Sequence, residues 1–467
     1  SKTFLEELEG VDVKACVEVR AVREGGVALP NGPLLEVSGP VGVVQLVETT
    51  VLNLMNYPSL VATYAARCRR AVGERVRLLE FGLRRAQGPD GGLSASRYSY
   101  LGTFDGTSNV LAGMVFGVPV IGTFAHSFVT SFAGLEKGRA STIVNPAGET
   151  VEFVDLVLEY REKLSYQNTN DGELQAFICY AQAFPRAFLA LVDTYSTLAS
   201  GVPNYLCVAL ALLHIGHPPR GIRLDSGDLR QLSLDAKALG AEAAAAVNVP
   251  ALADFEVVAS NNLEESALKD CVAKGHAITA FALGTHLVTC RPQPALGCVY
   301  KLVEFAGAPR MKLSEERAKS SLPAAKNLFR VLSPAPPHTI LFDIIALATE
   351  PPPTPGTTIR VLHPPTSAHT SVDIPVDALV ESLLERVPLE GAEDGPKELE
   401  AARARARRDI GRLPEGGGEM GVYLSEGLAR LVEEMEKEMK GKAAWATEEA
   451  GAGRKRKAEE DAAEDAQ

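Results

Sequence analysis

From about residue 76 the sequence alternates short apolar runs with helical stretches, and each apolar run stops abruptly at small, polar or charged residues. That wording belongs to βα units, in which a helix returns the chain to a parallel neighbouring strand. Parallel strands are covered on both faces, so they read as continuous apolar runs. "VRLLEFG" ends in "LRRAQGPDGG", which holds Arg84 and Arg85. "GVPVI" ends in "GTFAH", with Thr123 and His126, and "RGIRL" ends in "DSGDL", with Arg223, Asp225, Ser226 and Asp228. "FEVVAS" ends in "NNLEE", with Asn261 and Asn262, and "AITAFAL" ends in "GTHL", with Gly284, Thr285 and His286. In a βα barrel the reactive groups gather at the C-terminal ends of the strands. His126 alone would read as a structural histidine; five polar strand ends in succession make it a candidate site residue.

The flanks read differently. Residues 13–50 hold β-like runs, "VKACVEVRAV" and "LLEVSGPVGVVQLVE", on either side of the turn-forming "LPNGP". Residues 44–72 read as mostly buried helix, interrupted near Pro58. After about residue 330 the text is proline-rich, with strand-like pieces between. A charged helix, "KELEAARARARRDIG", and an amphipathic one, "SEGLARLVEEMEKEM", come next. The last residues, "EEAGAGRKRKAEEDAAEDAQ", are low-complexity and expected to be disordered. Within them Arg454–Lys457 reads as a solvated charge run, with recognition by a nuclear import receptor as the alternative.

A chain of 467 residues is long enough for two or three domains, and a net charge of −12 argues against general nucleic-acid binding. It leaves a locally basic pocket for small anions open. The seven cysteines are scattered, with no C-x-x-C pair, as expected of free thiols in a reducing compartment. No secretory leader and no uninterrupted apolar run of membrane-spanning length is read, so no membrane partner is expected. Neither a Walker A pattern nor G-x-G-x-x-G is present, and no zinc-like Cys/His spacing occurs.

The ligand class comes from the strand ends. A Gly-Thr turn or a Ser/Asn cap before a helix presents free backbone N–H groups and the positive end of the helix dipole, which favour phosphate. Arg84 and Arg223 would add bidentate charge, and Asp225 and Asp228 would hold a ribose diol or a divalent cation. Together these suggest a phosphorylated sugar, although an Asp-Ser-Gly-Asp turn also reads as a plain helix cap.

At this point a resemblance becomes specific. The stretches "LEFGLRRAQGPDGGLSASRYSYLGTFDGTSNVLAG", "VPVIGTFAHSFVTSF", "AFPRAFLALVDTYSTLASGVPN", "GIRLDSGDL" and "GTHLVTCRPQPALGCVYKLV" resemble, in order, the nicotinate phosphoribosyltransferase family. The likeness runs from roughly residue 35 to residue 435. It implies an α/β fold: an irregular TIM-like barrel joined to a second α+β domain built from the N- and C-terminal segments. On this sequence the division becomes 1–75 for the first part of the α+β domain and 76–330 for the barrel with the active site. Residues 331–440 complete the second domain with its helices, and 441–467 form the charged tail.

The resemblance also implies a reaction. Nicotinate and 5-phosphoribosyl 1-diphosphate give nicotinate mononucleotide and diphosphate, coupled to ATP hydrolysis, with Mg²⁺ or Mn²⁺ required. This is the first step by which nicotinate enters NAD, in the cytosol, in homodimers whose active sites are completed across the interface. The histidine of the G-T-x-A-H motif, here His126, would be transiently phosphorylated, a role that suits a nucleophilic imidazole. Thr123 would contact nicotinate, Arg223 its carboxylate, and Arg84 the substrate phosphates. Asp225 with Ser226 would orient the ribose, and Asn261, Gly284 and Thr285 would hold the phosphoribosyl diphosphate. His126, Asp225 and Arg223 would carry catalysis; the metal ligands are left open. Asn109, where the related nicotinamide enzyme has an aspartate, would donate to the nicotinate carboxylate instead of repelling it, with helix capping as the competing reading.

Two departures accompany the resemblance. Family members carry a further N-terminal segment with a D-x-Y motif whose ring stacks on the pyridine from the neighbouring subunit. A truncated form of an active protein is therefore expected, against a natural inactive isoform that pairs with full-length subunits. Cys298 stands where the family usually has a second glycine after "PALG". Another type II phosphoribosyltransferase, the decarboxylating quinolinate enzyme, is the remaining alternative.

Overall fold

The structure, a computed structural model, describes residues 6, 9–135, 141–312, 321–364, 368–389, 395–414 and 420–439. The expected tail at 441–467, with its Arg454–Lys457 run, lies outside these residues. The chain divides into two compact units, one of residues 55–296 and 394–403, the other of residues 1–54, 297–393 and 404–467. The sequence placed the corresponding boundaries at 75/76 and 330/331. The earlier start of the barrel unit takes in most of the helix Glu48–Val72, whose buried residues Leu60, Val61, Tyr64, Ala65 and Cys68 belong to that unit's core.

The first unit is organised by six parallel strands: β1 (Arg77–Glu80), β2 (Gly106–Thr107), β3 (Leu189–Leu191), β4 (Gly221–Leu224), β5 (Glu256–Ser260) and β6 (Ala280–Leu283). Their order across the sheet is β2-β1-β6-β5-β4-β3, and every neighbouring pair is parallel. The strands are apolar because helices cover them; all four residues of β6 are buried. Among the described residues β2 and β3 are edges not paired with each other, so the sheet is an open part of a barrel and the expected irregularity lies there. "GVPVI", expected as a strand, contributes only a parallel bridge from Val120 to Thr107. Two short strands, β2 and β3, take their places beside the four that the sequence showed.

Helix Val202–His214 has eleven buried residues and forms the back of this core. The eighteen residues Thr197–His214 are long and apolar enough to cross a membrane, with mean hydropathy 1.3, yet 72 % of them are buried inside the protein. The stretch is interrupted by Ser200 and Asn204, as the absence of an uninterrupted apolar run in the sequence requires, and it is apolar because it fills a core.

The second unit joins both ends of the chain. Glu18–Val22 pairs antiparallel with Leu35–Ser38 on one side and with Leu384–Val387 on the other. A six-stranded sheet has the order Ala368–Asp373, Thr358–His363, Gly421–Ser425, Ile340–Leu347, Lys326–Leu332, Leu379–Ser382. Only the pairing of Ile340–Leu347 with Gly421–Ser425 is parallel in it. Arg330 and Asp343 face each other across its central strands, almost fully buried, in a two-pronged ion pair of 2.9 and 2.8 Å. This is the α+β domain made from N- and C-terminal segments that the resemblance implied. All seven cysteines are free; Cys68, Cys207 and Cys290 are buried.

Candidate active site

The ends of β3, β4 and β5 carry one connected cluster. Arg223, in β4, directs its guanidinium along three bonds. Nε donates to Ser260 Oγ at the end of β5 (2.8 Å), one Nη to Thr123 Oγ1 (3.0 Å) and the other to Asp225 Oδ1 (3.0 Å). Its face lies 5.4 Å from the centre of the Phe81 ring, just past β1. A guanidinium has five N–H donors, so two remain for an incoming anion. Ser260 Oγ also donates to Asp225 Oδ1 (2.6 Å), which fixes that carboxylate from a second side.

Asp193, two residues past β3, was not read as a site residue, and the structure puts it at the centre. Its Oδ2 accepts from Asp225 N (2.8 Å) and Ser226 Oγ (2.6 Å). Its Oδ1 is buried with no hydrogen-bond partner and lies 3.8 Å from His126 Nε2; Asp225 Oδ2 lies 3.7 Å from the same nitrogen. Thr194 Oγ1 meets His126 Nδ1 at 3.0 Å. His126 opens the short helix His126–Thr130, whose N-cap Ala125 offers no side-chain cap. Its ring is 42 % exposed, so it is held by its partners and still open to a ligand. The signal for Asp193 and Thr194 was present: "LALVDT" is another apolar run stopping at polar residues. The strand is only three residues long, too short to stand out from the surrounding text.

Thr123, His126, Arg223, Asp225 and Ser226 are thus brought together. Arg84, Asn261, Gly284 and Thr285 stand at the same C-terminal edge of the sheet, past β1, β5 and β6, without joining this hydrogen-bonded cluster. Arg84 is exposed in the short 3₁₀ helix Leu83–Arg85. Asn261 and Asn262 both have positive φ, 131° and 38°, in the turn after β5. Gly284 caps the short helix Thr285–Val288. The ends of β1 and β6 meet closely because residue 82 is glycine: a Cβ there would lie 2.2 Å from Val288 Cγ1. A cavity of about 510 Å³ is lined by Asn262, Glu264, His286, Arg291 and Pro292.

Two expected ligand groups cap helices. Asn109 Oδ1 accepts from Ala112 N as the N-cap of helix Val110–Phe116, and its Nδ2 donates to Ser96 Oγ. Asn109 is buried, and it makes the helix cap that the competing reading expected. Asp228 likewise caps Leu229–Val247 through Gln231 N (3.0 Å), from an exposed position. Behind Asn109 lies Glu80, the last residue of β1 and fully buried. It accepts from Gly82 N, Ser96 Oγ (2.9 Å) and Thr107 Oγ1 (2.5 Å). Burial pushes its carboxyl up, against the pull of those three bonds.

No group of three or more His, Cys, Asp or Glu among the described residues forms a metal cage. A Mg²⁺ ion needs none, since it commonly takes one or two carboxylates and completes its shell with substrate phosphates and water. The orphaned Asp193 Oδ1 beside Asp225 Oδ2 fits that manner of binding.

No family model matches the chain. Among curated proteins, the nicotinate phosphoribosyltransferase of Bos taurus is 46 % identical over 447 residues, 92 % of this chain and 82 % of the relative. The enzyme of the same name from Homo sapiens is 46 % identical over 445 residues, 92 % and 81 % of the two chains. This chain belongs to the nicotinate phosphoribosyltransferase family. The crystal structure of the human nicotinic acid phosphoribosyltransferase superposes with a TM-score of 0.79 at 42 % identity, covering 93 % of this chain and 85 % of that one. A nicotinate-nucleotide pyrophosphorylase from Pyrococcus furiosus, 19 % identical with a TM-score of 0.51, shares the fold. Membership makes this chain a transferase of NAD biosynthesis.

Proposed function

We propose that the protein joins nicotinate to 5-phosphoribosyl 1-diphosphate, forming nicotinate mononucleotide and diphosphate, and that it couples this step to ATP through a phosphorylated His126. One observation carries the reading: Arg223, fixed by Thr123, Asp225 and Ser260 with two N–H groups left over, stands in the same bonded cluster as His126. The free N–H pair suits a planar carboxylate, and the Phe81 ring beside it suits an aromatic acid. The preference for the acid over the amide then rests chiefly on Arg223, since Asn109 caps a helix.

The imidazole is prepared on both sides. With Nδ1–H donated to Thr194 Oγ1, Nε2 holds the lone pair and faces Asp193 and Asp225. Attack of Nε2 on the γ-phosphorus of ATP forms the N–P bond and breaks the bond to ADP. Two carboxylates within 4 Å would repel that phosphoryl group, and a bound Mg²⁺, held by Asp193 and Asp225, would supply the neutralising charge. Asp225, clamped by Arg223 and Ser260, would accept from the ribose hydroxyls. Gly284 N–H and Thr285 would cap the 5-phosphate at the start of their helix, with Asn261 and Arg84 on the same rim.

The reading includes a cytosolic homodimer, and the seven unpaired cysteines support the reducing compartment. The test uses the purified protein with nicotinate, phosphoribosyl diphosphate, Mg²⁺ and γ-labelled ATP. Nicotinate mononucleotide should form, nicotinamide should fail, and an acid-labile phosphate should be present in the wild type and lost in His126→Asn. Acid-labile phosphate retained by His126→Asn would overturn the phosphohistidine, and release of CO₂ from quinolinate would favour the decarboxylating alternative.

A further inference from the structure

The segment "DTYSTLASGVPN" begins at the site with Asp193 and Thr194 and runs away from the end of β3 into a helix. Among the described residues, strand β3 is an edge strand of three residues, paired on one side only, to β4. Asp193 and Thr194, which meet His126, extend from it, so something other than the sheet must hold them on the unpaired side. A five-residue π-helical turn, Thr197–Gly201, comes next in the chain and opens the buried helix Val202–His214. Such turns are rare and frequently sit at functional sites. Gly201 rests directly on the main chain of Val192: a Cβ there would lie 1.8 Å from Val192 O, so only glycine permits the contact.

The π-helical turn is itself anchored to the helix Asp171–Ala183. Ser200 Oγ donates to Glu173 Oε2 (2.5 Å) and accepts from Asn170 N (3.0 Å). Asn204 Nδ2 donates to the same Glu173 oxygen (3.1 Å) and to Asn170 O (3.1 Å). Glu173 and Asn204 are fully buried. The neighbouring residue, Gly172, faces the other way: a Cβ on it would lie 2.3 Å from Phe132 O, just past the helix that His126 begins. Further along the same helix, Tyr180 packs edge-on against Phe124 at 4.6 Å, two residues before His126. One helix therefore touches the segment bearing His126 through Gly172 and Tyr180. Through Glu173 and Ser200 it holds the segment bearing Asp193 and Thr194.

We propose that Glu173 is a positioning residue for His126, the buried pin by which helix Asp171–Ala183 sets the imidazole against Thr194 and Asp193. Glu173 touches no substrate; it acts through Ser200, the π-helical turn and the Val192 main chain. Glu173 Oε1 and Asn204 Oδ1 are both buried acceptors without a partner, so an amide in place of the carboxyl brings a donor to this node. Glu173→Gln should keep the pin, while Glu173→Ala should release it and leave Ser200 and Asn204 without their shared acceptor. The proposal rests on His126 being the reacting group, as proposed above. Its first readout therefore does not depend on turnover.

The experiment compares wild type, Glu173→Ala, Glu173→Gln and Ser200→Ala, each verified as folded by circular dichroism. The His126 imidazole ¹⁵N resonances are assigned by their disappearance in His126→Asn and recorded without substrates. Glu173→Ala should shift those resonances and lower kcat about tenfold or more, with KM for both substrates within about threefold, since misplacing a reacting group by a fraction of an ångström is costly. Ser200→Ala should do the same to a smaller extent, and Glu173→Gln should restore wild-type resonances and kcat. Shifted resonances without any phosphoenzyme in the wild type would support the pin and count against the phosphohistidine alone. Unchanged resonances and kcat in folded Glu173→Ala would overturn the pin; should that variant not fold, the same result in Ser200→Ala does so.

Discussion

Replacing Arg223 by lysine keeps the charge and removes the fork. The guanidinium now makes three bonds in three directions, to Ser260, Thr123 and Asp225, and offers two further N–H groups. An ammonium on a flexible stem has three donors around one nitrogen and cannot reach all of these partners together with a carboxylate. Lysine would keep one partner, Asp225, by charge. The bonds to Ser260 and Thr123 disappear, each contributing about 0.5–1.5 kcal/mol, and the two-pronged grip on the substrate carboxylate becomes a single contact. The internal bonds count toward folding stability, whereas the lost prong on the carboxylate, about 1.5–3 kcal/mol, converts to a fall of about 10- to 150-fold in kcat/KM for nicotinate. Most of it should lie in KM, because the carboxylate is held equally in the ground state and the transition state. Steady-state kinetics with nicotinate varied at saturating phosphoribosyl diphosphate measure the effect, and a thermal unfolding curve separates it from lost stability. A folded Arg223→Lys protein within threefold of wild type in kcat/KM would refute the assignment and move the carboxylate site elsewhere.

Two further predictions concern stability. Burial pushes the Glu173 carboxyl up from its ordinary 4.5 to about 7, with the Asp193 charge adding to it and the bonds from Ser200 and Asn204 opposing. The folded chain then binds this proton more tightly than the unfolded one. Stability should be highest below about pH 4.5 for this group and fall as pH rises to about 7, by about 3 kcal/mol. Urea unfolding at pH 5, 6 and 7.5 should show that slope in wild type and its loss in Glu173→Gln; parallel slopes would count against it. In the second unit, Arg330→Met leaves Asp343 buried and unpaired and should destabilise by about 3–5 kcal/mol, whereas Arg330→Met with Asp343→Leu should recover most of the loss. A chemical denaturation series checks both, and a loss below about 1 kcal/mol in the single variant would show that the pair contributes little.

Much of this protein is legible along the chain. The apolar runs that become β1, β4, β5 and β6 announce a parallel sheet, because strands covered on both faces must be apolar throughout. Their abrupt polar ends announce where chemistry gathers, and Thr123, His126, Arg223, Asp225 and Ser226 do converge there. Local text cannot show which polar strand end faces a ligand and which faces the protein. Asn109 and Asp228 have the same polar character as their neighbours, and both proved to be helix caps, because a short polar side chain before a helix finds free N–H groups first. Asp193 and Thr194 were hidden by the brevity of β3, and Glu173 by its place within a helix far along the chain. Their importance comes from which segments the fold brings face to face, and only packing decides that. The sequence by itself determined the kinds of element and the chemistry at their ends; the tertiary structure decided which of those groups meet, because hydrogen bonds between residues far apart in the chain depend on distances that no local pattern encodes.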